Sequence, residues 1–460
     1  MSFSKRVRAY LKQRFDGIRN ERMKLSILQA IPFWVASVLT GLVAVLYTRL
    51  FFLAEQLSHQ LLAWHKWLIF IQAPVFIIIG WWLIQQFSPF ARGSGIPQVM
   101  AATELADDGK KHPIQKLLSL KVAIVKILSS MFMVAGGAAV GREGPTIQIA
   151  GSVFTFIYKY IPKGWPKLSM ANMIVAGAAS GLAAAFNTPL GGIVFAVEEL
   201  SKTHISFYRT ALFSGVIIAG LTAQALLGPY LYLGYPDVSN LSPYVLLLVA
   251  LVAVITGIGG SVTTKWIVNV LRWKRRTFTK KAHHLIFLLL CAFCIALLVY
   301  FISPDVMGSG KEIMMHLLFT PNKSPEWYVF PLRFIGPLFS FTTGGAGGVF
   351  APGLSTGATI GAIIGNWFEM TDANINLLIL AGMVGFLTGI TRTPFTSAIL
   401  VLEMTDRHGV IFHLMLAGMI AGLASLLIDK HSFYDHLKHD FLKEIKEQEQ
   451  KEAAIILPYS

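Results

Sequence analysis

Residues 177–198 read GAASGLAAAFNTPLGGIVFAVE, and residues 382–403 read GMVGFLTGITRTPFTSAILVLE, and the two stretches align without a gap. Gly177, Thr188, Pro189 and Glu198 meet the identical residues Gly382, Thr393, Pro394 and Glu403, while Gly181 meets Phe386. The likeness extends outward. Gly-Ser-Gly at 93–95 returns at 308–310, and Gly141-Arg142-Glu143-Gly144-Pro145 has a counterpart in the stretch ending Phe350-Ala351-Pro352. An internally duplicated apolar chain with paired Gly/Pro interruptions is the sequence pointer to a solute site near the membrane midplane, where the repeats meet.

Composition puts the chain in lipid. Of 460 residues, 54% are hydrophobic and only 14% are charged, with a mean hydropathy of +0.60. Soluble proteins carry about 25% charged residues, so the excess apolar surface must face lipid. The fold class is an all-α polytopic membrane protein. The net charge of +15 would suggest nucleic acid in a soluble chain, but its distribution excludes that partner. Lys5, Arg6, Arg8, Lys12, Arg14, Arg19, Arg22 and Lys24 crowd the first 24 residues against Asp16 and Glu21, and Lys274, Arg275, Arg276 and Lys280 form a second run. Basic residues collect on cytoplasmic flanks, where membrane lipid is anionic. The N-terminus is therefore expected in the cytoplasm. The first 24 residues are too polar, and the apolar stretch after them too long, for a cleavable signal. Cys291 and Cys294 form a CxxC inside LLLCAFCIALL; without further cysteines nearby they read as buried small residues, not as a zinc or redox site.

Apolar segments fall at about 25–54, 67–87, 117–140, 146–161, 170–200, 207–234, 243–271, 284–303, 330–343, 349–367, 376–403 and 410–428. Several match the ~20 residues that a spanning helix needs. GSGIP at 93–97, GREGP at 141–145 and GGVFAPG at 347–353 interrupt the pattern. Irregular backbone at membrane depth survives only when it is buried in protein or lines a wet cavity. The expected organisation is a basic N-terminal segment (1–24), a first membrane half (25–234), a second (235–430) and a short solvated helix or tail (431–460) with no regulatory domain after it.

Each break carries candidate chemistry. In Gly93-Ser94-Gly95-Ile96-Pro97, the glycines let backbone approach a ligand, and the Ser94 hydroxyl is either a helix cap or an anion donor. A helix start offers free N–H groups and about half a positive charge to an anion. Arg142 and Glu143, flanked by Gly141, Gly144 and Pro145, sit between long apolar stretches, where a charge costs at least ~3 kcal/mol on insertion scales. One reading is a buried Arg142–Glu143 ion pair, although adjacent helical residues do not face each other. In the other, the Glu143 carboxylate occupies an anion site and leaves it on protonation. Gly347 to Gly353 either supplies further amides or packs a close helix crossing. Glu198, matched by Glu403, suggests a structural duty; Glu199, opposite Met404, is the unmatched acid and the functional candidate. Lys121, Lys126, Arg49 and Arg392 either raise the potential along an anion path or snorkel to an interface, and snorkelling is the favoured reading. No HxxxH or HExxH spacing, phosphate loop or nucleophile elbow occurs, so neither a metal, an organic cofactor nor an enzyme activity is expected.

With GSGIP, GREGP and GGVFAP in that order, the chain resembles the CLC chloride channel and transporter family over residues 25–440. The resemblance implies two inverted halves of tilted, uneven helices and a homodimer with one pathway per subunit. It implies that Ser94, Val349, Phe350 and Tyr434 contact chloride, with Glu143 as gate and external proton site and Glu199 as internal proton site. Carrying both acids, the chain looks like a chloride/proton antiporter; the alternative is a passive chloride channel of the same fold. The absence of cytoplasmic regulatory domains resembles prokaryotic members, which implies a bacterial inner membrane with both termini cytoplasmic.

Overall fold

The computed structural model describes residues 20–109, 111–162, 164–200, 209–228 and 231–456. The basic residues expected at positions 5–19 lie outside the described residues. The first half begins with the 44-residue α1 (Glu21–Trp64), followed by α2 (Ile69–Phe87), α3 (Ile96–Asp107), α4 (Lys111–Leu117) and α5 (Leu120–Ala135). Next come α6 (Glu143–Lys159), α7 (Met170–Phe186), α8 (Pro189–Phe195) running into a π turn at Ala196–Leu200, and α9 (Arg209–Leu227). The second half holds α10 (Val245–Thr277), α11 (Lys281–Phe301), α12 (Lys311–Phe319), α13 (Val329–Thr342) and α14 (Phe350–Trp367). It closes with α15 (Asp372–Thr391), α16 (Pro394–Thr405), α17 (Ile411–Leu426) and α18 (Phe433–Ile456). Among the described residues, eight helical spans are long and apolar enough to cross a membrane. The protein is a multi-pass helical membrane protein.

The stretches 170–200 and 376–403, each read from sequence as one apolar segment, are each two helices. The break has a local cause in both. Asn187 and Arg392 take the left-handed conformation, at φ 58° and 64°, which ends a helix. Thr188-Pro189 and Thr393-Pro394 then start the next one with proline in its first turn, where its missing N–H is no loss. Hydropathy could not show this, because both sides of the break are equally apolar.

The acids of the repeat join the halves. Glu198 accepts from the N–H groups of Phe395 (3.2 Å) and Thr396 (2.7 Å) at the start of α16. Glu403 accepts from Leu190 (3.1 Å) and Gly191 (2.6 Å) at the start of α8. Under the repeat alignment, Leu190 and Gly191 fall on Phe395 and Thr396, so each half gives the other the same carboxylate and receives the same amides. The structural duty expected of Glu198 is this reciprocal cap. Small residues bring helix pairs within each half into close contact, closer in the second half than in the first. A Cβ on Gly177 would meet Ala150 O at 3.0 Å between α7 and α6, and one on its repeat partner Gly382 would overlap the Gly357 backbone between α15 and α14.

The polar C-terminal stretch differs from expectation. Residues 433–456 form one helix, and Phe433, Tyr434, Leu437, Phe441 and Ile445 are buried in the protein. The polar residues read as a solvated tail occupy its other face and its far end. Cys291 is buried and both cysteines are free thiols.

Candidate functional site

The three interruptions meet. Gly141 and Gly348 exchange two backbone hydrogen bonds of 2.8 Å each, and Gly93 bonds Gly345 O (2.8 Å) and Gly347 N (3.1 Å). Gly93 and Gly95 hold φ of 66° and 108°, which only glycine adopts without strain. The approach leaves no room for side chains. A Cβ on Gly144 would overlap Ser94 Oγ, and one on Gly348 would lie 3.1 Å from Gly144 N. The Ser94 loop, the Glu143 start of α6 and the Phe350 start of α14 thus abut, with Pro97 and Pro145 in the first turns of α3 and α6. The first N–H groups of each helix lack an intrahelical carbonyl and point outward from the helix start.

Ser94 is 1% exposed and Tyr434 is fully buried. Their hydroxyls lie near each other, and among the described residues neither has another hydrogen-bond partner. Ser94 therefore does not cap α3, whose cap residue is Gly95. Tyr434 is fixed through its ring, which lies 6.0 Å from that of Phe350 and 5.5 Å from that of Phe433. Val349 and Phe350 are 3% and 1% exposed. Two orphaned buried hydroxyls beside a helix start have the chemistry to hold an anion, because buried polar groups otherwise find partners.

Glu143 is the first residue of α6 and is fully buried. No ion pair joins it to Arg142 among the described residues; Arg142 reaches Ala185 O at 3.5 Å instead. Oε1 of Glu143 accepts from the Tyr232 hydroxyl at 3.4 Å, while Oε2 has no partner among the described residues. A cavity of about 540 Å³ opens on Glu143, lined also by Glu55, His59, Arg142, Tyr232 and Lys311. A second cavity, of about 420 Å³, opens on Ser94 and is lined by Arg92, Lys274, Arg275, Lys281 and Lys443 against Asp440, Glu444 and Glu447. Glu143 and Ser94 therefore each face their own cavity across the joined helix starts. Glu199 is not part of this cluster. It is half-buried on the π turn after α8.

The embedded cations divide. Lys121 and Arg49 are exposed, and Arg49 reaches Leu226 O at 3.2 Å, in keeping with snorkelling. Lys126 does not snorkel. It is fully buried and donates to Ala91 O (2.9 Å) and Gly93 O (2.6 Å), which pins the backbone just before Ser94. Arg392 is half-buried and donates to Ser261 Oγ (2.7 Å) and Asp429 O (3.0 Å). Lys274, read from sequence as part of a cytoplasmic basic run, turns inward and donates to Thr342 O (2.8 Å) and Thr343 O (3.1 Å) at the end of α13. Sequence reasoning also passed over Arg333, fully buried, which donates to Met307 O (2.9 Å) and Ser355 Oγ (2.8 Å). An arginine inside the apolar 330–343 stretch was the available signal. Tyr232 gave none.

A duplicated helical membrane protein whose broken helices meet between two cavities has the architecture of the CLC type. The sequence model of the voltage gated chloride channel family matches residues 75–426, and the chain belongs to that family. The fold agrees with the solved structure of a slow cyanobacterial Cl-/H+ antiporter, at a TM-score of 0.79 and 23% identity over 90% of this chain and 98% of that one. A CLC-type fluoride/proton antiporter superposes with a TM-score of 0.72 at 19% identity, covering 90% of this chain and 98% of that one. A eukaryotic CLC transporter does so at 0.70 and 19%, covering 91% of this chain and 75% of that chain.

Proposed function

We propose that this protein exchanges chloride for protons across a bacterial inner membrane, as a homodimer with both termini in the cytoplasm. The observation that carries the reading is the pair of buried, unpartnered hydroxyls of Ser94 and Tyr434 beside the start of α14. They would hold a dehydrated chloride together with the backbone amides of Val349 and Phe350. The Glu143 carboxylate lies at the neighbouring helix start, where its negative charge competes with the anion for the same positive end. Protonation cancels that charge, the neutral side chain leaves, and chloride enters from the Glu143 side. The proton then passes toward Glu199, which reaches the cytoplasmic face from the π turn. One site cannot hold carboxylate and anion together, and this exclusion couples the two fluxes. Ser94 at the central position favours chloride among the family's anions.

The test uses purified protein in liposomes with an outward chloride gradient, voltage clamped by valinomycin and potassium, while external pH is followed. Proton movement against its own gradient is expected. Glu143→Gln should keep chloride flux and lose proton movement, and Glu199→Gln should lose proton movement as well. Chloride efflux without any pH change in the unmodified protein would make it a passive channel and overturn the exchange.

A further inference from the structure

The second Gly-Ser-Gly, at 308–310, has no part in the anion site described above, yet it is anchored from two other elements. Arg333 donates to the carbonyls of Asp305 (3.2 Å) and Met307 (2.9 Å) just before it. Glu55 of α1 accepts from Ser309 N at 3.3 Å. Gly310, at φ 78°, then turns the chain into α12. This anchoring presents Lys311, the first residue of α12, to Tyr232, with Nζ 4.6 Å from the ring centroid. A second support of that ring is Phe186, in an edge contact at 5.1 Å. Tyr232 is 2% exposed, and its hydroxyl donates to Glu143 Oε1 at 3.4 Å.

The geometry points to Tyr232 as a positioning residue that latches the Glu143 carboxylate, with Lys311 and the 308–310 loop as the mount that holds the tyrosine in place. The inference deepens the gate reading of Glu143 and rests on it. A hydroxyl donor favours the charged form of the carboxyl group it touches. A cation over the ring face adds attraction that fixes the ring, because the face of an aromatic ring is its negative side. Glu143 therefore leaves its place only when protonation removes the charge that the hydroxyl engages. The repeat copy of GSGIP thus serves the other acid of the same pathway: Ser94 is given to the anion, and its counterpart loop is given to the gate.

The test is Tyr232→Phe, which keeps the ring against Lys311 and Phe186 and removes only the hydroxyl. Chloride flux into liposomes is measured against pH on the Glu143 side, in the parent and in a Glu143→Gln background. The charged and titratable groups near Glu143 are Arg142, Glu55, His59, Asp305, Lys311 and Glu312 around its cavity, with the buried Tyr47 and Tyr434. All are common to parent and variant, so the difference reports the hydroxyl. Tyr232→Phe should move the midpoint of activation upward by about 0.5–1 pH unit, which raises flux above the midpoint roughly 3- to 10-fold. In the Glu143→Gln background, the same change should move nothing. An unshifted midpoint in Tyr232→Phe, with Glu143→Gln still abolishing the pH dependence, overturns the latch and leaves the gate. Coupled exchange surviving in Glu143→Gln overturns the gate and the latch with it.

Discussion

Lys126 carries its amine into the protein interior to serve the backbone. Before Ser94, the carbonyl of Ala91 ends a 3-10 turn and that of Gly93 also accepts from Gly347 N, and the Lys126 amine supplies both with a donor. An unsatisfied buried carbonyl costs about 1–3 kcal/mol, partly offset when the buried polar amine itself is removed. Lys126→Met should therefore lower stability by about 2 kcal/mol and weaken chloride binding, because the backbone that fixes Ser94 relaxes. Thermal midpoint in detergent and chloride titration check the two halves of this statement. An unchanged midpoint would mean that the carbonyls find other partners. The sequence shows why such a residue is hard to read beforehand. A lysine in an apolar stretch has the same context whether its amine reaches water, as at Lys121, or a carbonyl.

At the scale of elements, the sequence carried the breaks better than the bounds. The Gly-Ser-Gly and Gly-Arg-Glu-Gly-Pro interruptions announced where helices start, because their residue types act through local backbone geometry. The division of 170–200 and 376–403 was hidden, since it turns on one left-handed residue in each and on acids supplied from the other half. Tertiary partners of that kind leave no periodicity. Once known, they are testable as a pair. Glu198→Ala and Glu403→Ala each remove an anionic cap from a helix start, a loss of about 1–2 kcal/mol. Both variants should lower the thermal midpoint by similar amounts. A large loss in one with none in the other would show that the reciprocal contacts are unequal in energy. Of the residues proposed for the site, Ser94, Glu143, Val349 and Phe350 stand in motifs that the sequence displays, and Tyr434 is pointed to by the resemblance alone. Tyr232 was not, because a loop aromatic acquires its meaning only from what folds against it.

For the whole molecule, charge is placed sparingly, at 14% of residues. The ion pairs that tie α18 down, such as Lys116 with Glu452 (2.8 Å) and Arg275 with Asp440 (3.6 Å), are partly exposed, and pairs of that kind contribute about 0–1 kcal/mol. The helix is held mainly by Phe433, Tyr434, Leu437, Phe441 and Ile445. This division of labour leaves Tyr434 steady beside Ser94 even where salt screens the ion pairs.

The reciprocal caps of Glu198 and Glu403 have the form of an isologous dimer contact, in which each partner offers the same patch to the other. Here both partners belong to one chain, and the segment between α9 and α10, which carries Tyr232 and bonds Met404 O through Leu233 N at 3.0 Å, links halves that already match through their caps. Two polypeptides cut after residue 234 and made in the same cell should find each other in the membrane and restore chloride binding. Co-purification through a tag on one fragment would reveal it. Failure of the fragments to associate would mean that covalent linkage does what the carboxylates and amides are here held to do. The fold thus keeps, inside a single subunit, the handshake of two molecules that met as equals.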